Sequence, residues 1–116
     1  MVGNDDLKYE LERNNFVRAA QIAASRGLAE NELREIQFEA LWQMAQNRNA
    51  VGTRKLAQEW GVSKQELKEY LQNRAVEHRK TGDIKLLTSC YDAGTGKYFS
   101  FEEWLEFYAE KWKDYQ

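Results

Sequence analysis

Several features that often define a protein's class are missing from this sequence. It contains no proline, one cysteine (Cys90) and one histidine (His78). A single cysteine cannot form an internal disulfide, and one cysteine with one histidine cannot supply the ligands of the usual structural zinc sites. No apolar run approaches the roughly 18 residues that would span a bilayer, and residues 1–6 are too polar for a secretory signal. These absences predict a cytoplasmic protein with no cofactor, no metal and no membrane partner.

The residues that are present describe an ordinary folded chain with an uneven charge distribution. Of the 116 residues, 42% are hydrophobic and 31% are charged, which predicts one domain over residues 1–116. The net charge is −2, yet residues 49–80 carry seven basic and four acidic side chains. A local patch attracts or repels a partner more strongly than the total charge does. The middle third is therefore the segment best suited to an anionic partner.

Apolar residues recur at helical spacing through the first two thirds of the chain. Gly27 and Gly61 are suited to ending helices, because glycine readily adopts the left-handed backbone conformation. The pattern predicts four helices, at residues 5–26, 31–47, 53–60 and 63–80, with Thr53 capping the third.

A faint internal repeat relates these helices. Aligning Gly27 with Gly61, an offset of 34 residues, also aligns Ala23 with Ala57 and Leu33 with Leu67. We expect two similar helical hairpins packed together, at residues 1–48 and 53–80. A 34-residue period is also typical of tetratricopeptide arrays, but such arrays usually need about three copies.

The last third changes in character. Residues 84–99 contain strand-like segments around a glycine-rich turn, which predicts a β-hairpin. Ser100 and Glu103 form a capping-box pattern that opens a helix over residues 100–115. Its apolar stripe is expected to join the core, whereas Phe107 lies off that stripe and is a candidate interface residue. The stripe consists of Phe101, Trp104, Leu105, Tyr108, Trp112 and Tyr115. The fold class is thus predicted to be mainly α, with two helical hairpins, a β-hairpin and a C-terminal helix.

Residues 53–72, TRKLAQEWGVSKQELKEYLQ, carry the most specific motif. Ala57 is small enough for two helices to cross closely, Gly61 suits a left-handed turn, and Ser63 with Glu66 forms a capping box. This segment resembles the helix-turn-helix superfamily of DNA-binding modules, and the hairpin after it resembles the wing of winged members. The resemblance implies a non-enzymatic, often dimeric, regulator or accessory protein for transcription, of a bacterial or phage type.

The resemblance also implies a set of DNA-contacting residues on double-stranded DNA. In such modules the second helix enters the major groove, led by its N-terminal residues. The base-reading candidates are Ser63, Lys64, Gln65, Lys68 and Gln72. The phosphate-contact candidates are Thr53, Arg54, Lys55, Arg74, Arg79, Lys80 and, at the hairpin, Lys97.

The sequence also bears on three functions other than DNA binding. Glu66 and Glu69 share the proposed recognition helix, so a protein-interaction adaptor that uses the helical hairpins or the aromatic C-terminal helix is the alternative. An enzyme is not expected, because His78 is isolated, Cys90 is predicted to be buried and inert, and no catalytic constellation is present. Residues 92–103 resemble a degraded calcium loop with too few oxygen ligands.

Overall fold

The computed structural model describes residues 3–112, with side chains from residue 6 onward, and it is mainly helical. Its described part contains six α-helices, one short 3-10 helix and one antiparallel hairpin, which confirms the predicted fold class. The helices are α1 (Gly3–Glu12), α2 (Phe16–Ser25), α3 (Glu30–Gln46), α4 (Ala50–Glu59), α5 (Lys64–Thr81) and α6 (Phe101–Lys111). The strands are β1 (Cys90–Asp92) and β2 (Lys97–Phe99).

The chain forms two compact units, residues 1–43 and residues 44–116. The first unit buries alanine side chains of α2 together with both small and large apolar side chains of α3. They are Ala19, Ala20, Ala23, Ala40, Leu41 and Trp42.

The first predicted helix is wrong in one respect, because residues 5–26 form two helices. Asn14 adopts a left-handed conformation with φ of +59°, which an asparagine tolerates better than most residues. The Asn15 amide then donates to the Glu10 carbonyl, and its side chain donates to the Glu10 carboxylate at 2.8 Å. The apolar periodicity continues through this polar turn, so it did not reveal the break.

The 34-residue repeat is reproduced in the backbone. Both α2 and α4 contain 10 residues, and each ends at a glycine with φ near +70°, Gly27 and Gly61. In each turn the amide after the glycine donates to the carbonyl of a fully buried alanine, Leu28 to Ala23 at 3.2 Å and Val62 to Ala57 at 2.8 Å. This six-residue closure is the Schellman motif. The internal repeat in the sequence therefore corresponds to two hairpins with the same turn.

The turns that precede α2 and α4 also match. Asn14 and Arg48, 34 positions apart, have φ values of +59° and +58°. In each turn the next amide reaches back five residues, from Asn15 to Glu10 and from Asn49 to Met44. The repeated unit is thus a complete turn–helix–turn–helix segment.

The start of α4 differs from the prediction. Asn49, rather than Thr53, caps this helix, accepting a hydrogen bond from the Gly52 amide at 2.8 Å. Thr53 lies inside the helix, fully buried, and its hydroxyl donates to the Asn49 carbonyl at 2.7 Å. The helix begins at Ala50, three residues earlier than the sequence indicated.

The predicted strand at residues 84–91 is mostly another structure. Lys85–Leu87 forms a 3-10 helix, and only Cys90–Asp92 pairs with the returning strand. Asp92 organises the turn, since its carboxylate accepts from the Thr95 amide and hydroxyl at 3.0 and 2.9 Å. The short run Ile84–Leu87 is apolar enough for a strand, but it forms a helical turn that buries its last residue, Leu87.

The last helix follows its capping prediction. Ser100 and Glu103 form the complete capping box. The α6 helix lies against α5, and its buried side chains face the apolar residues of that helix. Phe101, Trp104, Leu105, Ala109 and Trp112 are buried on one side, and Leu67, Leu71 and Ala75 on the other. Tyr108 is partly exposed, and the predicted residue Tyr115 lies outside the described residues.

Candidate nucleic-acid interface

The interface is built on the turn between α4 and α5. Ala57, Val62 and Leu67 are fully buried around it, and Gly61 supplies the left-handed residue. Leu71, one turn further along α5, completes this buried set. The turn fixes the direction of α5 and leaves its N-terminal end at the surface.

Three predicted base-reading residues lie at that N-terminal end. The Ser63 hydroxyl is exposed but accepts a hydrogen bond from the Glu66 amide at 3.1 Å, so it serves first as the helix cap. Lys64 is half-buried, and Gln65 is exposed. The Gln65 amide donates to the Glu69 carboxylate at 2.9 Å, one turn further along the helix. The local structure thus brings together a hydroxyl, an ammonium group and an amide on one helical turn.

The two remaining base-reading candidates lie further along α5. Gln72 is exposed. Lys68 is half-buried, and its ammonium group is 3.5 Å from the carboxylate of Glu106 on α6. Another anion that binds Lys68 must therefore compete with Glu106 for its ammonium group.

The phosphate-contact candidates divide into three groups. Thr53 is fully buried, so its prediction as a phosphate contact is wrong in this structure. Lys55, Lys80 and Lys97 are exposed. The three arginines have partners within the protein: Arg54 donates to Gln58 at 2.8 Å, Arg74 donates to the Tyr70 hydroxyl at 2.6 Å, and Arg79 pairs with Glu102.

The pair of Arg79 and Glu102 is bidentate. The Nε and terminal nitrogen of Arg79 donate to the two oxygens of Glu102 at 2.6 and 2.7 Å. This hydrogen bond raises the pKa of Arg79 and lowers the pKa of Glu102 from their ordinary values. Both side chains stay substantially exposed, so water and salt weaken the pair.

The outward face of α5 is not uniformly basic. Glu66, Glu69 and Glu77 are exposed on this helix, as is Lys80. The positive candidates Lys64 and Lys68 lie along its half-buried flank instead. Basic and acidic side chains are therefore interspersed along α5, from Glu66 in its first turn to Lys80 in its last.

Arg48, which no sequence pattern indicated, holds the segment before the hairpin. Its guanidinium donates to the carbonyls of Leu86 at 3.2 Å and Thr88 at 2.8 Å, and it lies 5.3 Å from the centre of the Phe101 ring. Burial lowers the pKa of Arg48 from its ordinary value. The only signal in the sequence was its place in an Asn-rich turn, which does not indicate contacts 40 residues away.

The hairpin exposes one pair of aromatic rings and anchors another. Tyr91 and Tyr98 are cross-strand partners with ring centres 5.3 Å apart, and they are 59% and 69% exposed. On the anchored side, Phe99 stacks on Phe107 at 5.4 Å. Phe107, the predicted interface residue, is half-buried in this contact. The hairpin therefore carries an exposed aromatic surface.

A second anchor joins the hairpin to α6. The Tyr108 hydroxyl donates to the Asp92 carboxylate at 2.9 Å. Burial, together with this hydrogen bond and the charge of Asp92, raises the pKa of Tyr108 from its ordinary value. The Asp92 carboxylate thus serves the turn and the anchor together.

The groups considered for other chemistry have local roles. Cys90 is exposed, so its predicted burial is wrong, and its thiol lies 3.6 Å from the Thr88 carbonyl. His78 lies 3.6 Å from Asp83. Glu103, the last residue of the calcium-like segment, accepts from the Ser100 amide at 2.9 Å. Among residues 3–112, no three histidine, cysteine or carboxylate side chains are grouped as a metal site would require.

Within the described part of the chain, no helix has the length and apolar character needed to cross a membrane. No protein-family model, curated protein or solved structure matches this chain.

Proposed function

We propose that this protein is a non-enzymatic DNA-binding module in which the N-terminal end of α5 contacts duplex DNA. Ser63, Lys64 and Gln65 would meet base edges, because the first turn of the second helix leads into the major groove in this arrangement. Lys55, Lys80 and Lys97 are exposed and would hold phosphates.

The observation that supports this proposal most is the difference between the two repeats. Their turns have the same backbone geometry, yet their surface residues differ. Ser63 and Lys64 in the second repeat correspond to Ala29 and Glu30 in the first. A capping hydroxyl and a cation at the helix start favour an approaching phosphate or base edge, whereas alanine and glutamate do not. Of the two repeats, only the second combines a capping hydroxyl with a cation at the start of its second helix.

The repeat also provides a matched control for the experiment. Binding to mixed-sequence duplex DNA at low salt would be measured by fluorescence anisotropy for the wild type, for Lys64→Gln/Gln65→Ala and for Glu30→Gln/Asn31→Ala. We expect only the first double variant to weaken binding, by on the order of tenfold for the loss of an ion pair and a base contact. Equal effects in both repeats, or no binding by the wild type, would contradict the proposal.

The exposed tyrosine pair favours a second candidate function, a protein-interaction adaptor. Tyr91 and Tyr98 present adjacent rings to solvent, and tyrosine is enriched among the residues that dominate binding energy at protein interfaces. The exposed carboxylates of α5 and the paired state of Lys68 and Arg79 fit this function better than they fit DNA binding.

The two functions are distinguished by which double variant has an effect, the one in the hairpin or the one in α5. If the protein is an adaptor, Tyr91→Ala/Tyr98→Ala abolishes capture of its protein partner and Lys64→Gln/Gln65→Ala leaves that capture unchanged. If it binds DNA through α5, the duplex titration responds to the α5 variant and the salt dependence follows the number of phosphates contacted.

A further inference from the structure

Two carboxylates of α6 hold Lys68 and Arg79, two basic side chains that the helix-turn-helix resemblance assigns to the DNA contact and that the proposed contact would gain on their release. Glu106 lies 3.5 Å from the ammonium group of Lys68, and Glu102 binds Arg79 through both of its oxygens. Glu102 and Glu106 are four residues apart, so they lie on the same side of α6. Lys68 and Arg79 are about three turns apart on α5, and therefore also share one side of their helix.

This arrangement resembles the way a phosphate backbone would engage the same residues. A carboxylate accepts two parallel hydrogen bonds from a guanidinium in the geometry that a phosphate also uses. The distances of 2.6 and 2.7 Å between Arg79 and Glu102 are those of charge-assisted hydrogen bonds. A phosphate can bind the same edge of Arg79, formed by Nε and one terminal nitrogen, only if Glu102 releases it.

The pairs are placed so that they can exchange partners. Glu106 is 62% exposed and Glu102 is 41% exposed, so both carboxylates remain in contact with water. Exposed ion pairs are weak and are screened by salt. The two glutamates therefore compete with phosphates for the basic side chains, and the strength of that competition depends on their charge. The buried face of α6, with Phe101, Trp104 and Leu105, keeps the helix in place when the pairs break.

We propose that Glu102 and Glu106 of α6 form an autoinhibitory contact, competing with DNA phosphates for Arg79 and Lys68 and lowering the affinity of the module for duplex DNA. The inference rests on the proposed function and adds its regulation. DNA binding then requires Lys68 and Arg79 to change from carboxylate to phosphate partners. Any change that neutralises the two glutamates strengthens binding.

The test compares Glu102→Gln/Glu106→Gln with Glu110→Gln, using the full chain and the same mixed-sequence duplex. Glu110 is exposed on α6 at an equal spacing beyond Glu106, so its variant measures the effect of removing one α6 charge outside the two pairs. A general change in charge would give the double variant twice that effect in binding free energy. Thermal unfolding followed by circular dichroism establishes that each variant is folded. We expect the double variant to bind on the order of tenfold more tightly at low salt, with the difference shrinking as salt rises. Glu110→Gln should bind no more than about twofold more tightly, because its charge lies outside the two pairs.

Each outcome has a separate meaning. Tighter binding by the double variant, well beyond that of Glu110→Gln, supports the autoinhibitory contact. Equal affinities for the wild type and the double variant, or for the double variant and Glu110→Gln, overturn it and leave DNA binding through α5 intact. No binding by the wild type or by either variant at low salt overturns the proposed function itself, and the autoinhibitory contact with it.

Discussion

Removing the Arg48 side chain should weaken the second unit more than a typical surface substitution does. The guanidinium makes two hydrogen bonds to the carbonyls of Leu86 and Thr88 and lies over the Phe101 ring. Hydrogen bonds that involve a charged group contribute about 1.5–3 kcal/mol each, and a cation over a ring about 0.5–2 kcal/mol. Because both carbonyls can be rehydrated in the variant, we expect Arg48→Ala to lower the free energy of unfolding by about 2–4 kcal/mol.

A second substitution at Arg48 separates the stability contributed by the side-chain contacts from the cost of the left-handed backbone. Arg48 has φ of +58°, a conformation that costs a residue with a β-carbon about 1–2 kcal/mol and costs glycine almost nothing. Arg48→Gly should therefore be about 1 kcal/mol more stable than Arg48→Ala, while still less stable than the wild type. Asn14 is the matched control, since it has the same φ in the first repeat and its side chain makes no comparable clamp.

Urea unfolding followed by tryptophan fluorescence and circular dichroism measures both effects, provided that the slope of unfolding free energy against urea is unchanged. A cost of less than about 0.5 kcal/mol for Arg48→Ala, the range of ordinary surface substitutions, would show that the guanidinium contacts do not stabilise the unit. Equal costs for Arg48→Ala and Asn14→Ala would lead to the same conclusion.

Three further predictions concern the turns and the hairpin. Gly27→Ala and Gly61→Ala should each cost about 1 kcal/mol in urea unfolding, because an added methyl group meets nothing within 4 Å and only the left-handed backbone opposes it; unequal costs would show that the two turns differ. Tyr108→Phe should destabilise the hairpin below pH 10. A raised pKa means that the tyrosine's contribution is complete below its unfolded-state value near 10 and is lost as the pH rises through the folded-state value, so the gap to the wild type should close at alkaline pH. Cys90 should react fully with a thiol reagent in the native protein; protection until denaturant is added would mean that the thiol is buried.

Local patterns predicted the parts of the fold that depend on local chemistry. Ser63 and Ser100 cap their helices because each accepts from the amide three residues later, and Gly61 ends α4 because it adopts a left-handed conformation. These features depend on a few adjacent residues, so a single sequence reveals them. The break at Asn14 was missed because the apolar spacing on its two sides remains compatible with one continuous helix.

Contacts between distant residues could not be predicted in this way. Thr53 looked like a cap from its neighbours, but a cap at Asn49 placed it one turn inside α4 and in the core. Lys68 and Arg79 were identified as basic, yet their pairing with Glu106 and Glu102 depends on how α6 crosses α5. The candidate site was therefore predictable in residue type and position along α5, and unpredictable in the charge that surrounds it.

The matching turns at Asn14 and Arg48 also have a consequence for how the gene of this protein can lengthen by duplication. Because these two positions have the same backbone conformation and are followed by helices of equal length, a segment beginning after one turn and ending at the other has compatible ends. An in-frame duplication of such a segment would join the end of one turn to a helix that already follows a turn of the same conformation, so the added copy needs no new type of loop. Genes that encode relatives of this chain should therefore differ in length by steps of that segment more often than by arbitrary insertions within its helices.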